Sequence, residues 1–164
     1  MNQMQKKLLD LINQGRYCTD EKILALGSEA VPDLIILFDD IKDDEEGVFQ
    51  QAVIHMLGLL NGDQAVEFMK SLYHQVKDED ENLEMATLSA LARTDNEAAL
   101  ELLLPLLQTG KKRVRKNLIV GLRGTRRDFV LTEIRKSASS DPDPSIRRYA
   151  ERVAVEIGKR LGEE

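Results

Sequence analysis

Apolar residues in this chain return at steps of three and four, the spacing that places them on one face of a helix. Val31, Leu34, Ile35 and Phe38 form one such stripe, Ala65, Val66, Met69 and Leu72 a second, and Leu100, Leu103, Leu104 and Leu107 a third. Each is followed, after a polar linker, by a partner stripe: Phe49, Val53 and Leu57; Leu83, Thr87 and Leu91; Val114, Leu118 and Leu122. The last core position of each partner helix recurs as Leu26, Leu57, Leu91, Leu122 and Ala154, at intervals of 31, 34, 31 and 32 residues. That interval is the length of one helix-turn-helix unit, so the pattern predicts five helical hairpins over residues 4–27, 28–61, 62–95, 96–127 and 128–162. A hairpin of this size cannot bury its apolar face alone and must stack on its neighbours.

Turn chemistry sets the expected boundaries. The first unit pairs a helix over Met4 to Asn13 with a short one capped by Thr19 and stopped at Gly27. Ser28 is expected to cap the next helix and Asp63 the one that opens the third unit. The partner helix of the second unit spans Val48 to Leu60, with Asn61 and Gly62 as the turn out. Pro105 predicts a kink, because it removes one backbone donor and crowds the preceding turn. In the fifth unit Phe129, Val130 and Ile134 read as the first core stripe and Ile146, Ala150, Val153 and Ile157 as the second, while the tail from Gly162 to Glu164 is expected to fray.

Composition narrows the class. With 164 residues, 42% of them hydrophobic, the chain suits a single domain over 1–164, and with 4% aromatics and no Trp its core must be aliphatic. The lone Cys18 has no disulfide partner within the chain and is expected half-buried in a reducing, cytoplasmic setting. Arg16 and the following helix start bear on its thiol, but no histidine adjoins it. Asp10 and Asn13 interrupt the apolar run after Lys6 and Lys7 too early for an export signal, and no run approaches the roughly 18 residues of a membrane span.

Two segments carry a family resemblance. Asp141, Pro142, Asp143, Pro144, Ser145, Ile146, Arg147, Arg148, Tyr149 and Ala150, followed by Val155 to Gly158, resemble the second half of a HEAT-type repeat, in the short bacterial form similar to that of phycobilin lyases. Gly27 to Leu34 resembles the opening half, whereas the third and fourth units lack the aspartate-proline turn. The resemblance implies an all-α fold, a right-handed α-solenoid of about five HEAT-like hairpins, with the second helices lining a concave surface. It also implies that Arg147 ties its linker to the helix through Asp141 or Asp143. Members of this family bind proteins, nucleic acids or chromophores, so the likeness does not select a partner.

Charge is unevenly spread. Through residue 100 there are 8 basic and 20 acidic residues, and from 101 onward 15 and 9, within a net charge of −6. Lys112, Lys116, Arg123 and Arg127 step by four, seven and four, which on a continuous helix keeps them in one narrow sector, and Arg148, Arg152 and Lys159 repeat the phase. Arg115, the equivalent of Arg147, has no carboxylate in its own linker, so the Lys111 to Arg127 patch reads as unneutralised. Lys112, Lys116, Arg123, Arg127, Arg148 and Arg152 are accordingly the candidate partner-binding residues of a non-enzymatic protein-interaction scaffold that takes an acidic protein segment. The alternative is a nucleic-acid or phosphate-binding module using the same side chains, with an accessory role to a chromophore lyase more distant.

The acidic runs Asp39, Asp40, Asp43, Asp44, Glu45, Glu46 and Asp78, Glu79, Asp80, Glu81 read as solvated linkers, without the glycine-bearing spacing of a calcium loop. Their sign is opposite to that of the C-terminal half, which allows head-to-tail self-association. His55 and His74 stand alone in different units, and neither a phosphate-cradling glycine loop nor a nucleophile motif is present. No catalytic, metal or cofactor site is therefore expected.

Overall fold

The computed structural model describes residues 1–15, 18–40 and 47–162; Arg16, the acidic residues Asp43, Asp44, Glu45 and Glu46, and the last two residues, Glu163 and Glu164, lie outside these. Among the described residues there are ten α-helices and no strand. They are α1 Gln3–Asn13, α2 Asp20–Leu24, α3 Val31–Asp40, α4 Val48–Leu60, α5 Asp63–Val76, α6 Glu81–Arg93, α7 Glu97–Thr109, α8 Lys112–Gly121, α9 Asp128–Ser140 and α10 Pro144–Leu161. None of these helices is long and apolar enough to cross a membrane.

The chain divides into two compact units, Met1–Ala90 and Leu91–Glu164. In the first, α3 pairs with α4, α1 and α5 flank α3, and α2 packs on α4. In the second, the hairpins α7–α8 and α9–α10 stack with α7 on α9 and α8 on α10. Within each unit, like helices of successive hairpins therefore lie side by side, in two layers with the apolar stripes between them. The recurring column is buried throughout: Leu26 and Leu57 in the first unit, Leu91, Leu122 and Ala154 in the second.

Local sequence explains several of the helix ends. Asn2 accepts the Gln5 amide while the Gln5 side chain accepts the Asn2 amide, a reciprocal cap that secures α1. Two expected caps are displaced. Ser28 lies in a 3-10 turn, Ser28–Ala30, preceded by Gly27 at φ 74°. Asp63 is the first residue of α5, and Gly62, at φ 106°, holds the cap position. In both places a glycine takes a backbone conformation that a side chain would oppose, so turn geometry outranks the capping preference of the next polar residue. Thr19 does sit at the cap of α2, though its hydroxyl makes no capping bond there.

The helix α7 runs through Pro105 as one element. Pro105 is exposed, and the carbonyl that it leaves without a donor belongs to Glu101, also exposed, so water can satisfy it. Phe129 departs from its expected place in the core: it is 44% exposed, and the Arg127 guanidinium lies 6.0 Å from its ring centroid. Val130 and Ile134 keep the stripe without it. The half-buried Cys18 agrees with the expectation.

Two packing details stand out in the first unit. A Cβ on Gly58 would sit 2.9 Å from the Ala90 Cβ and 3.1 Å from its carbonyl oxygen, so only glycine lets α4 approach α6 this closely. Thr87 on α6 is fully buried, and its hydroxyl finds no hydrogen-bond partner among the described residues. Leaving a buried hydroxyl unsatisfied is costly, so Thr87→Val, which keeps the shape and removes the polar atom, should raise stability by about 1 kcal/mol in urea unfolding.

Candidate functional site

The second unit holds all six candidate partner-binding residues, and tertiary contacts sort them into two groups. At the linker between α9 and α10, Asp143 caps α10 by accepting the Ser145 and Ile146 amides, at 2.8 and 3.3 Å, with Pro144 in the first turn. The same carboxylate pairs with Lys112 from α8. Lys112, the Ser145 hydroxyl and the two amides together hold the Asp143 carboxyl well below the usual carboxylate range. Lys112 is thereby neutralised, and the positive start of α8 gains a nearby negative charge.

Arg115 overturns the reading of an unneutralised patch. Its guanidinium is buried and donates from Nε to Asp141 Oδ2 at 2.7 Å and from Nη2 to Asp141 Oδ1 at 3.0 Å. A third bond runs from Nη1 to the Gly110 carbonyl at 2.8 Å. The carboxylate missing from its own linker comes from the next hairpin, 26 residues on. Asp141 also accepts the Asp143 amide at 2.8 Å, so each of its oxygens is occupied. Hydrogen bonding to Arg115 lowers the Asp141 pKa below its ordinary value and raises that of Arg115. Arg147 does tie the linker to its helix, but through the Asp141 backbone carbonyl, 2.6 Å from Nη1.

Two more of the six are engaged. Arg123 pairs with Glu156 on α10. Arg127 donates to the Asp95 carbonyl at 3.0 Å, lies 3.7 Å from the Asp95 carboxylate and rests against Phe129. Thr125 donates its hydroxyl to Asp95 at 2.6 Å, and Arg160 donates to the carbonyls of Arg123 and Thr125, so the chain beyond α8 is pinned on both sides. Continuous helical phase does not extend to these residues. The helix α8 ends at Gly121, Arg123 lies in the 3-10 turn Leu122–Gly124, and Arg127 is an extended residue before α9.

Lys116, Arg148 and Arg152 remain. All three are exposed, and none has a carboxylate partner among the described residues. Lys116 and Arg152 line one cavity of about 300 Å³, together with Ser145, Ile146 and Tyr149, between the neighbouring helices α8 and α10. Arg148 and Arg152 line a second, of about 510 Å³, with Ser145 and Glu151. Arg152 lies over the Tyr149 ring, 5.3 Å from its centroid, within cation–π range. Ser145 and Tyr149 are the members of this site that charge spacing did not single out; their signal was their place one helical turn from Arg148 and Arg152 on α10.

His55 Nε2 lies 3.3 Å from Asp20 on α2, and His74 is an exposed residue beside Tyr73. Asp80, from the second acidic run, caps α6 by accepting the Asn82 and Leu83 amides, both at 3.0 Å. No group of His, Cys, Asp or Glu among the described residues is placed to hold a metal ion.

Comparison with known proteins gives one family: the model for HEAT repeats matches residues 31–123. That span runs from α3 to the turn after α8. The chain has no match among curated proteins.

Proposed function

The chain belongs to the HEAT-repeat family, whose repeats generally serve as scaffolds for protein–protein interaction, and from that premise we propose that it is a non-enzymatic adaptor receiving an acidic protein segment at Lys116, Arg148 and Arg152. The observation that carries this reading is the contrast among the six candidate cations. Three are already satisfied by Asp143, Glu156 and Asp95, whereas Lys116, Arg148 and Arg152 are exposed on α8 and α10 and form no ion pair among the described residues. Unneutralised charge at adjoining depressions is what recruits and orients an oppositely charged partner. Lys112, Arg123 and Arg127, candidates by spacing, are engaged within the protein and in this reading do not contact the partner. A cytoplasmic setting for the adaptor rests on the single cysteine.

Affinity capture from native lysate tests the assignment. Partners recovered by the wild type should be lost from Lys116→Glu/Arg152→Glu, with affinity falling about tenfold or more, and kept by Arg123→Ala. Equal recovery by all three proteins would remove these residues from the binding surface. Titration of duplex DNA and RNA at two salt concentrations checks the nucleic-acid alternative, which requires tight binding that weakens steeply with salt.

A further inference from the structure

Resting on the reading that this face takes an acidic segment, we propose that the anion it recognises is a phosphoryl group on a side chain of the partner, held by Lys116, Arg148 and Arg152 beside Ser145 and Tyr149. The spacing in the sequence suggested a line of positive charge, which suits a run of carboxylates or a nucleic-acid backbone. Internal pairing of Lys112, Arg123 and Arg127 breaks that line and leaves the charge gathered around two depressions that share Ser145 and Arg152. A local concentration of three cations matches a phosphate monoester, which brings close to two negative charges and three strong acceptor oxygens to one place. A carboxylate brings one charge and two oxygens.

The surroundings fit the same anion. Arginine forks recognise phosphate by paired hydrogen bonds, and the stacking of Arg152 on Tyr149 reduces the freedom its guanidinium must give up on binding. The cavity of about 300 Å³ has room for the side chain that bears the phosphoryl group, with the buried Ile146 in its wall. Glu151, in the lining of the depression shared by Arg148 and Arg152, disfavours an anion on that side, so the phosphoryl group is placed toward Lys116 and Arg152, in the cavity without an acidic lining residue. Duplex nucleic acid would need cations spaced along its backbone, and those are the ones neutralised within the protein.

Three peptide pools test this, with random flanking residues and a fixed central phosphoserine, glutamate or serine, measured by fluorescence anisotropy against the full chain. The phosphoserine pool should bind about tenfold or more tightly than the glutamate pool and lose at least that factor in Lys116→Ala/Arg152→Ala, as expected for direct phosphate pairing. Arg123→Ala should bind as the wild type does, and inorganic phosphate should compete. Equal binding of the phosphoserine and glutamate pools, both weakened by the double substitution, overturns the phosphate assignment and leaves the acidic-segment reading standing. Binding of neither pool overturns both. Phosphoserine binding unaltered in the double variant, or duplex DNA bound more tightly than any peptide pool, also overturns the phosphate assignment. Circular dichroism melting should show the double variant folded, because Lys116 and Arg152 take part in no ion pair among the described residues.

Discussion

Asp141→Ala is expected to destabilise the protein by about 3–5 kcal/mol, the cost of leaving the buried Arg115 guanidinium without its counter-charge. The substitution removes both acceptors of the Arg115 fork and the acceptor of the Asp143 amide at once. Because this carboxylate joins α8 to the linker before α10, its loss loosens the stacking of the last two hairpins as well as one pair. Arg115→Lys should recover only part of the stability, since an ammonium offers one point charge where three N–H groups now reach two residues. Urea unfolding of the two variants checks this, and equal stability of wild type and Asp141→Ala would show that the pair is dispensable.

The pair also sets an acid limit. Its folded-state pKa being depressed, Asp141 contributes stability that is complete above the ordinary carboxylate value and is lost as pH falls through the folded value, which lies below 3.8. Asp143 acts in the same direction through Lys112. Thermal melts should therefore be flat with respect to these two groups near neutrality and fall below about pH 4, and Asp141→Asn should flatten that acid limb.

Leu122→Ala is expected to lower stability by roughly 2–5 kcal/mol, the range for truncating a fully buried leucine and leaving a cavity. Leu122 is 0% exposed and opens the 3-10 turn that packs on both α8 and α10. The same substitution at the exposed Leu24 should change stability by less than about 0.5 kcal/mol, because little contact is lost there. Denaturation curves of the two variants measure the contrast, and similar losses would mean that the recurring column is not the core of the stack.

The hairpins were legible because helical periodicity and the repeat interval depend on residues close in sequence. The stripes Ala65, Val66, Met69, Leu72 and Ile146, Ala150, Val153, Ile157 needed only a count of three and four to be placed inside, and α4 falls on the expected Val48 to Leu60. Where local rules competed, one-dimensional reading lost. Gly27 and Gly62 displaced Ser28 and Asp63 as caps, and Phe129 left the core to lie beside Arg127. The resemblance was carried by the second unit and the fifth, whereas the family match runs over the second to the fourth, whose shared pattern is packing rather than the aspartate-proline turn.

By itself the sequence determined the helical class, the repeat length, the buried column and the concentration of basic residues after residue 100, all of which follow from residue type and spacing along the chain. Only the tertiary structure decided which of those cations are spent inside the protein and which face solvent. A lysine or arginine reaches far enough to find a carboxylate on the next hairpin, as Lys112 finds Asp143 and Arg115 finds Asp141, and that partner lies some 30 residues away, where spacing on a single helix gives no information.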